Sequence, residues 1–84
     1  MRTAIVIGTG LIGTSAALAL SGRGVRVHLV DHDPARARTA AALGAGTDEP
    51  PEGPVDLAIV AVPPARVAEA VADAQRDGLA RGYL

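Results

Sequence analysis

The chain has 84 residues, a formal net charge of −1 and no cysteine. That length allows one domain, and the lack of cysteine excludes disulfide scaffolds and zinc modules. The near-zero net charge gives no electrostatic reason to expect nucleic acid or a membrane as a partner. Hydrophobic residues make up 49% of the chain, which excludes intrinsic disorder. The composition fits a cytoplasmic protein.

The first predicted elements are a strand and a helix. Residues 3–7 form a short β-branched apolar run that stops at Gly8, which is typical of a parallel strand covered on both faces. From Leu11 the apolar residues recur at helical spacing, which predicts a helix to about Ser21. A signal peptide is an alternative, because residues 3–21 carry no charge. The pattern of the rest of the chain favours the strand and the helix.

The second predicted pair is a strand over residues 25–30 and a helix that starts after Asp33 and ends at Leu43. Apolar and polar residues alternate along this strand, which indicates a poorly covered face or a place near the sheet edge. His28 lies on the polar face and is expected at the surface. Asp33 is the predicted helix cap, and Gly44 suits the position after the helix.

The second half of the chain contains further predicted strands and one helix. Prolines confine any third strand to about residues 45–48, and residues 55–62 are the most strand-like stretch. Pro63 and the proline after it end that strand and open a helix that Gly78 closes. Residues 83–84 resemble the start of a further strand. The alternation predicts an α/β fold with a partial, doubly wound parallel sheet of the Rossmann type.

A glycine-rich turn joins the first strand to the first helix, and its sequence is Gly8-Thr9-Gly10-Leu11-Ile12-Gly13. Gly8 permits the tight turn, Gly10 leaves room for a pyrophosphate beside the backbone, and Gly13 lets the helix lie close to the strand. The helix start offers free N–H groups and a positive dipole end to phosphates. We therefore predict that this turn binds a dinucleotide, with Thr9 donating a hydrogen bond to phosphate.

An acidic residue follows the second strand. The carboxylate of Asp31 can accept hydrogen bonds from both adenosine ribose hydroxyls and would repel a 2′-phosphate, which favours NAD over NADP. Alternatively, Asp31 only caps a turn together with Asp33. Arg36 or Arg38 could reach a 2′-phosphate, so NADP stays open, although solvated arginines are common on helix surfaces. His32 either packs against the adenine or is a surface residue.

The end of the 55–62 strand is predicted to flank the middle of the dinucleotide, because ligands of doubly wound sheets bind at the carboxyl ends of strands. Val62 and Pro63 would give backbone and apolar contacts there. Arg66 lies in the next helical turn, where a solvated state is favoured. The sequence contains no Ser-His-Asp set, no paired carboxylates and no metal-ligand spacing, so no catalytic or metal-binding residue is predicted.

Three segments resemble the N-terminal part of the prephenate and arogenate dehydrogenases. They are Ile5-Val6-Ile7-Gly8-Thr9-Gly10-Leu11-Ile12-Gly13-Thr14-Ser15, Val30-Asp31 and Asp56-Leu57-Ala58-Ile59-Val60-Ala61-Val62-Pro63-Pro64. The resemblance implies that Gly8, Gly10, Gly13 and Asp31 match cofactor-binding positions. It also implies oxidative decarboxylation of prephenate to 4-hydroxyphenylpyruvate, with NAD accepting the hydride, in tyrosine biosynthesis. The Val-Pro-Pro ending is shared more loosely with β-hydroxyacid-type dehydrogenases and pyrroline-carboxylate reductases.

The family's catalytic histidine, helper serine and substrate-binding arginine have no counterparts within residues 1–84. Residues 1–84 are therefore expected to be the N-terminal portion of a dinucleotide-binding domain, inactive alone. The resemblance implies that the full-length enzyme, which acts on a small molecule, is a homodimer formed through a helical C-terminal domain. Two alternatives stay open: another NAD(P)-dependent enzyme acting on arogenate, an imino acid or a hydroxy acid, and a non-catalytic nucleotide-sensing module.

Overall fold

The computed structural model describes all 84 residues and contains three strands and three helices in alternation. The elements are β1 (Thr3–Ile7), α1 (Leu11–Ser21), β2 (Arg26–Val30), α2 (Pro34–Ala42), β3 (Leu57–Val60) and α3 (Pro64–Arg76). The predicted α/β fold is confirmed. No helix is long and apolar enough to cross a membrane.

The sheet is parallel, with β1 in the centre between β2 and β3. Isolated bridges extend it on both sides: Thr47 pairs with His28 beyond β2, and Ala80 and Tyr83 pair with Val55 and Ala58 beyond β3. Where a vestigial third strand and the start of a further strand were predicted, the structure has isolated bridges at Thr47 and Tyr83. With these bridges the order across the sheet is that of a partial, doubly wound Rossmann-type fold.

The core lies on both faces of β1. Val6 belongs to a cluster of seven buried residues, and the other six come from α1, β2, α2 and Ala45 beyond α2. Ile5, the neighbouring residue, points to the other face and packs with Val55 and Ala58. Successive residues of a strand face opposite ways, so an apolar run such as that of β1 requires cover on both sides.

Local signals in the sequence define the ends of the helices. The side chain of Asp33 accepts a hydrogen bond from the Ala35 N–H at 3.0 Å, which caps α2 as predicted. Gly44 and Gly78 follow α2 and α3 with φ of +89° and +61°, a conformation that favours glycine.

Two predictions about the strands need correction. β3 is four residues long rather than the predicted 55–62, because Val55 forms only an isolated bridge, with Ala80, and the strand ends at Val60 before the two prolines. His28 is buried instead of lying at the surface, and its Nδ1 is 2.9 Å from the carbonyl oxygen of Glu49. The segment after Thr47 folds back over β2 and covers this face, which the alternation along the strand cannot reveal.

Candidate functional site

The carboxyl ends of the three strands open into a cleft of about 820 Å³. Such a volume suits a cofactor or small-molecule site. Eight of the ten predicted cofactor-binding residues line this cleft: Gly8, Gly10, Leu11, Ile12, Asp31, His32, Val62 and Pro63. Thr9 and Gly13 are both buried and lie outside the cleft lining. Parallel strands end at one edge of a sheet, which is why residues far apart in the sequence meet here.

The glycine turn is tied to both neighbouring strands. Gly8 has a φ of +99°, and a Cβ at this position would lie 2.5 Å from the carbonyl oxygen of Ala61, just past β3. Its N–H donates to the carbonyl oxygen of Val30, at the end of β2, at 2.7 Å. Only glycine fits this turn, because both the backbone angle and the contact with Ala61 exclude a side chain.

The other two glycines differ in what surrounds them. A Cβ on Gly13 would collide with the carbonyl oxygen of Gly8, so this glycine permits the close approach of α1 to the turn. A Cβ on Gly10 would meet nothing within 4 Å, because Gly10 faces the open cleft. Gly10 is also the N-cap of α1 and leaves the first-turn amides without a side-chain cap. The cleft is therefore bordered by unpaired backbone donors and the positive end of a helix dipole.

The carboxylate of Asp31 is bound by the turn itself. The N–H and the hydroxyl of Thr9 both donate to Asp31 Oδ2, at 2.8 and 2.9 Å. The Asp33 N–H donates to Oδ1 at 2.9 Å. This arrangement differs from the expectation that the Thr9 hydroxyl faces a phosphate, because Asp31 takes both of its donors. It also contains the predicted Asp31–Asp33 turn, while Asp31 still lines the cleft.

These hydrogen bonds favour the ionised form of the Asp31 carboxyl and so lower its pKa. Burial raises its pKa, but the N–H groups of Thr9 and Asp33, the Thr9 hydroxyl and the nearby His32 together hold the pKa below its usual value. The side chain is only 4% exposed. The cleft therefore contains a fixed, ionised carboxylate next to a set of backbone donors.

His32 and the arginines of this region are more exposed than Asp31. His32 Nδ1 lies 3.3 Å from Asp31 Oδ1, while 62% of its side chain is open to solvent. Arg36 lines the cleft and lies 3.9 Å from Asp33, whereas Arg38 is not part of the lining. Arg66 lines the cleft from the first turn of α3. The two arginines of the cleft lining, Arg36 and Arg66, are thus both exposed.

One wall of the cleft was not predicted from the sequence. Glu69, Asp73 and Asp77 line it from α3 and the residue that follows the helix. They recur every four residues, so a search for charges at helical spacing would have found this row. Asp73 is paired with Arg76 at 3.0 Å. The cleft is therefore lined by carboxylates along α3 as well as by Asp31.

Comparison with known proteins gives the family. The model of a family described as an FAD binding domain matches residues 3–78. The chain belongs to this family. It is also 55% identical, over all of its 84 residues, to a probable prephenate dehydrogenase, NovF, from Streptomyces niveus. The predicted resemblance to the N-terminal part of a prephenate dehydrogenase is confirmed, and the chain is similar to a dehydrogenase-type oxidoreductase. It spans 23% of the length of that relative.

The cofactor prediction needs correction. NAD, with NADP less favoured, was expected from the glycine turn and Asp31, but the family that covers residues 3–78 is an FAD-binding one. The physical reason lies in what these residues recognise. A glycine turn, a helix start and a ribose-binding acid contact the ADP half that several dinucleotides share, so they carry no information about the other half.

Proposed function

We propose that the cleft binds the ADP half of FAD within a dehydrogenase-like oxidoreductase. The observation that carries this proposal is the open space at Gly10, next to the uncapped start of α1. A diphosphate can approach the backbone there and accept hydrogen bonds from the first-turn amides. The cleft is also large enough for a nucleotide.

Each part of the nucleotide has a proposed set of contacts in this chain. The backbone from Gly8 to Gly13 would hold the diphosphate, and the carboxylate of Asp31 would accept a hydrogen bond from the ribose. His32, whose ring is exposed in the cleft, would pack against the adenine. Val62 and Pro63 would flank the middle of the dinucleotide. A bound flavin would supply an electron acceptor.

The activity of the whole enzyme is also a proposal, since the chain spans 23% of its relative. We infer that residues 1–84 are the N-terminal portion of a dinucleotide-binding domain. In this proposal the full-length, homodimeric enzyme catalyses oxidative decarboxylation of prephenate in tyrosine biosynthesis, in the cytoplasm. The identity to a probable prephenate dehydrogenase supports this assignment. The chain has no candidate metal cluster, and none of its own residues is assigned a catalytic step.

The test is calorimetric titration of the 84-residue chain with ADP and with FAD. Gly10→Val should weaken the binding of both by at least about tenfold, because the side chain fills the space of the diphosphate. Gly53→Val is the matched control, since Gly53 also has open space around it but lies away from this cleft. Far-UV circular dichroism should find both variants folded.

Several outcomes would contradict the proposal. If folded Gly10→Val bound both nucleotides as tightly as the wild type, the diphosphate would not bind at the glycine turn. Absence of ADP binding by the wild-type chain would overturn the nucleotide site. NAD shares the ADP half and serves as the comparison ligand, so tighter binding of NAD than of FAD would overturn the flavin assignment.

A further inference from the structure

Thr9 is the one predicted cofactor-binding residue with a polar side chain that does not line the cleft. It is 7% exposed, and its side chain oxygen and backbone N–H both donate to the same oxygen of Asp31. Thr14 in turn donates from its hydroxyl to the Thr9 carbonyl oxygen at 3.0 Å. Thr9 is thus held from both sides, and its donors are fully used before any ligand arrives.

The two oxygens of the Asp31 carboxylate are in different situations. Oδ2 accepts two hydrogen bonds from Thr9, which matches the two lone pairs of a carboxylate oxygen. Oδ1 accepts one hydrogen bond, from the Asp33 N–H, and lies near His32, a residue of the cleft lining. The remaining acceptor capacity of Asp31 is therefore on Oδ1, the oxygen next to His32.

We propose that Thr9 is a positioning residue: it fixes the Asp31 carboxylate so that Oδ1, and not Oδ2, accepts a hydrogen bond from a ribose hydroxyl. This proposal rests on the proposed ADP site. Thr9 lies within the glycine turn and Asp31 follows β2, so the same contact joins the diphosphate-binding segment to the ribose-binding group. The ligand then meets a carboxylate whose rotation has already been restricted.

The test compares ADP with 2′-deoxy-ADP, because only the first offers the ribose 2′-hydroxyl. The measured quantity is the dissociation constant of 2′-deoxy-ADP divided by that of ADP, which is large when the 2′-hydroxyl contributes to binding. Thr9→Val removes the hydroxyl but keeps the shape and the N–H, and it should lower this ratio by about fivefold, the equivalent of one weakened hydrogen bond to a charged group. Thr9→Ser keeps a hydroxyl and should restore the ratio.

Two controls separate positioning from a general loss of structure. Thr39→Val is the matched variant, since the Thr39 hydroxyl donates to the Ala35 carbonyl oxygen on the exposed surface of α2, and it should leave the ratio unchanged. A merely structural role for Thr9 would weaken both nucleotides equally. Thr9→Ala replaces Thr9→Val if the valine variant does not fold.

A structure of the wild-type chain with ADP provides a test that needs no variant. The ribose hydroxyl should lie within hydrogen-bond distance of Oδ1, with both Thr9 donors still on Oδ2. A ribose hydroxyl on Oδ2, or an unchanged ratio in folded Thr9→Val, would overturn the role of Thr9 while the ADP site stands. If the wild-type chain binds neither nucleotide, both proposals fall.

Discussion

The two halves of the molecule are built from similar elements but are buried to different degrees. Around β1, α1, β2 and α2, seven buried residues form one cluster, and Ala17 in α1 has no exposed surface. On the side of β3, α3 and the C-terminal segment, the cluster has only three buried residues, one of which is Ile5 of β1, and Ala74 is the only buried residue of α3. One wall of the cleft is therefore firmly packed, and the other is a lightly anchored helix.

This difference has a physical cause in the side chains at the two contacts. Gly13 lets α1 approach the turn so closely that no Cβ fits, and short alanines continue the contact. α3 presents Val67, Ala70 and Val71, which remain partly exposed above β3. The stability of an element follows the apolar area it buries, so we expect α3 to open at a lower free energy than α1.

The largest expected effect comes from Gly13→Ala. The added methyl group would overlap the Gly8 carbonyl oxygen, so α1 must move away from β1 or the turn must distort. We expect a loss of about 3 kcal/mol in the free energy of unfolding, measured by urea denaturation. Gly53→Ala, at a glycine with open space around it, should change it by less than about 0.5 kcal/mol. Equal effects would contradict the close packing of α1.

A smaller effect distinguishes the two halves directly. Val6→Ala removes a fully buried side chain from the larger cluster and should cost about 2 kcal/mol of unfolding free energy. Val67→Ala removes the same groups from the half-buried face of α3 and should cost less than about 1 kcal/mol. The same denaturation measurement serves both variants. Similar costs would show that α3 is packed as firmly as β1.

The third effect depends on pH. The pKa of Asp31 is lowered in the folded state, so its stabilisation is fully present above its unfolded pKa of about 4 and is lost as the pH falls through the folded value. The unfolding free energy of the wild type should therefore fall more between pH 5 and pH 2 than that of Asp31→Asn, by thermal denaturation across that range. Glu52→Gln, at an exposed position, should retain the wild-type slope. If the unfolding free energy of all three proteins had the same dependence on pH, the ionised carboxylate of Asp31 would not stabilise the fold.

The features that the sequence predicts well are those encoded by adjacent residues. Asp33 followed by proline starts α2, glycines follow α2 and α3, and the apolar run of β1 gives a central strand. The same holds for the glycine turn, whose three glycines have the predicted surroundings. These are local rules of backbone conformation and capping, so a single stretch of sequence is sufficient.

Contacts between distant segments could not be predicted from the sequence. His28 is buried because the segment around Glu49, 21 residues later, folds over it. The hydroxyl of Thr9 turns to a carboxylate 22 residues away rather than to the cleft. Neither periodicity nor composition contains this information, since both contacts depend on where a loop and a strand end meet in space.

The position of the cleft has a consequence for stability. Its walls come from the ends of β1, β2 and β3, which lie together only while the three strands are in register. A nucleotide bound there would have no comparable site on the unfolded chain, so mass action would draw the equilibrium toward the folded form. At a concentration one hundred times its dissociation constant, the gain would be about 2.7 kcal/mol. Occupancy of the cleft would thus contribute about as much to the unfolding free energy as the fully buried side chain of Val6.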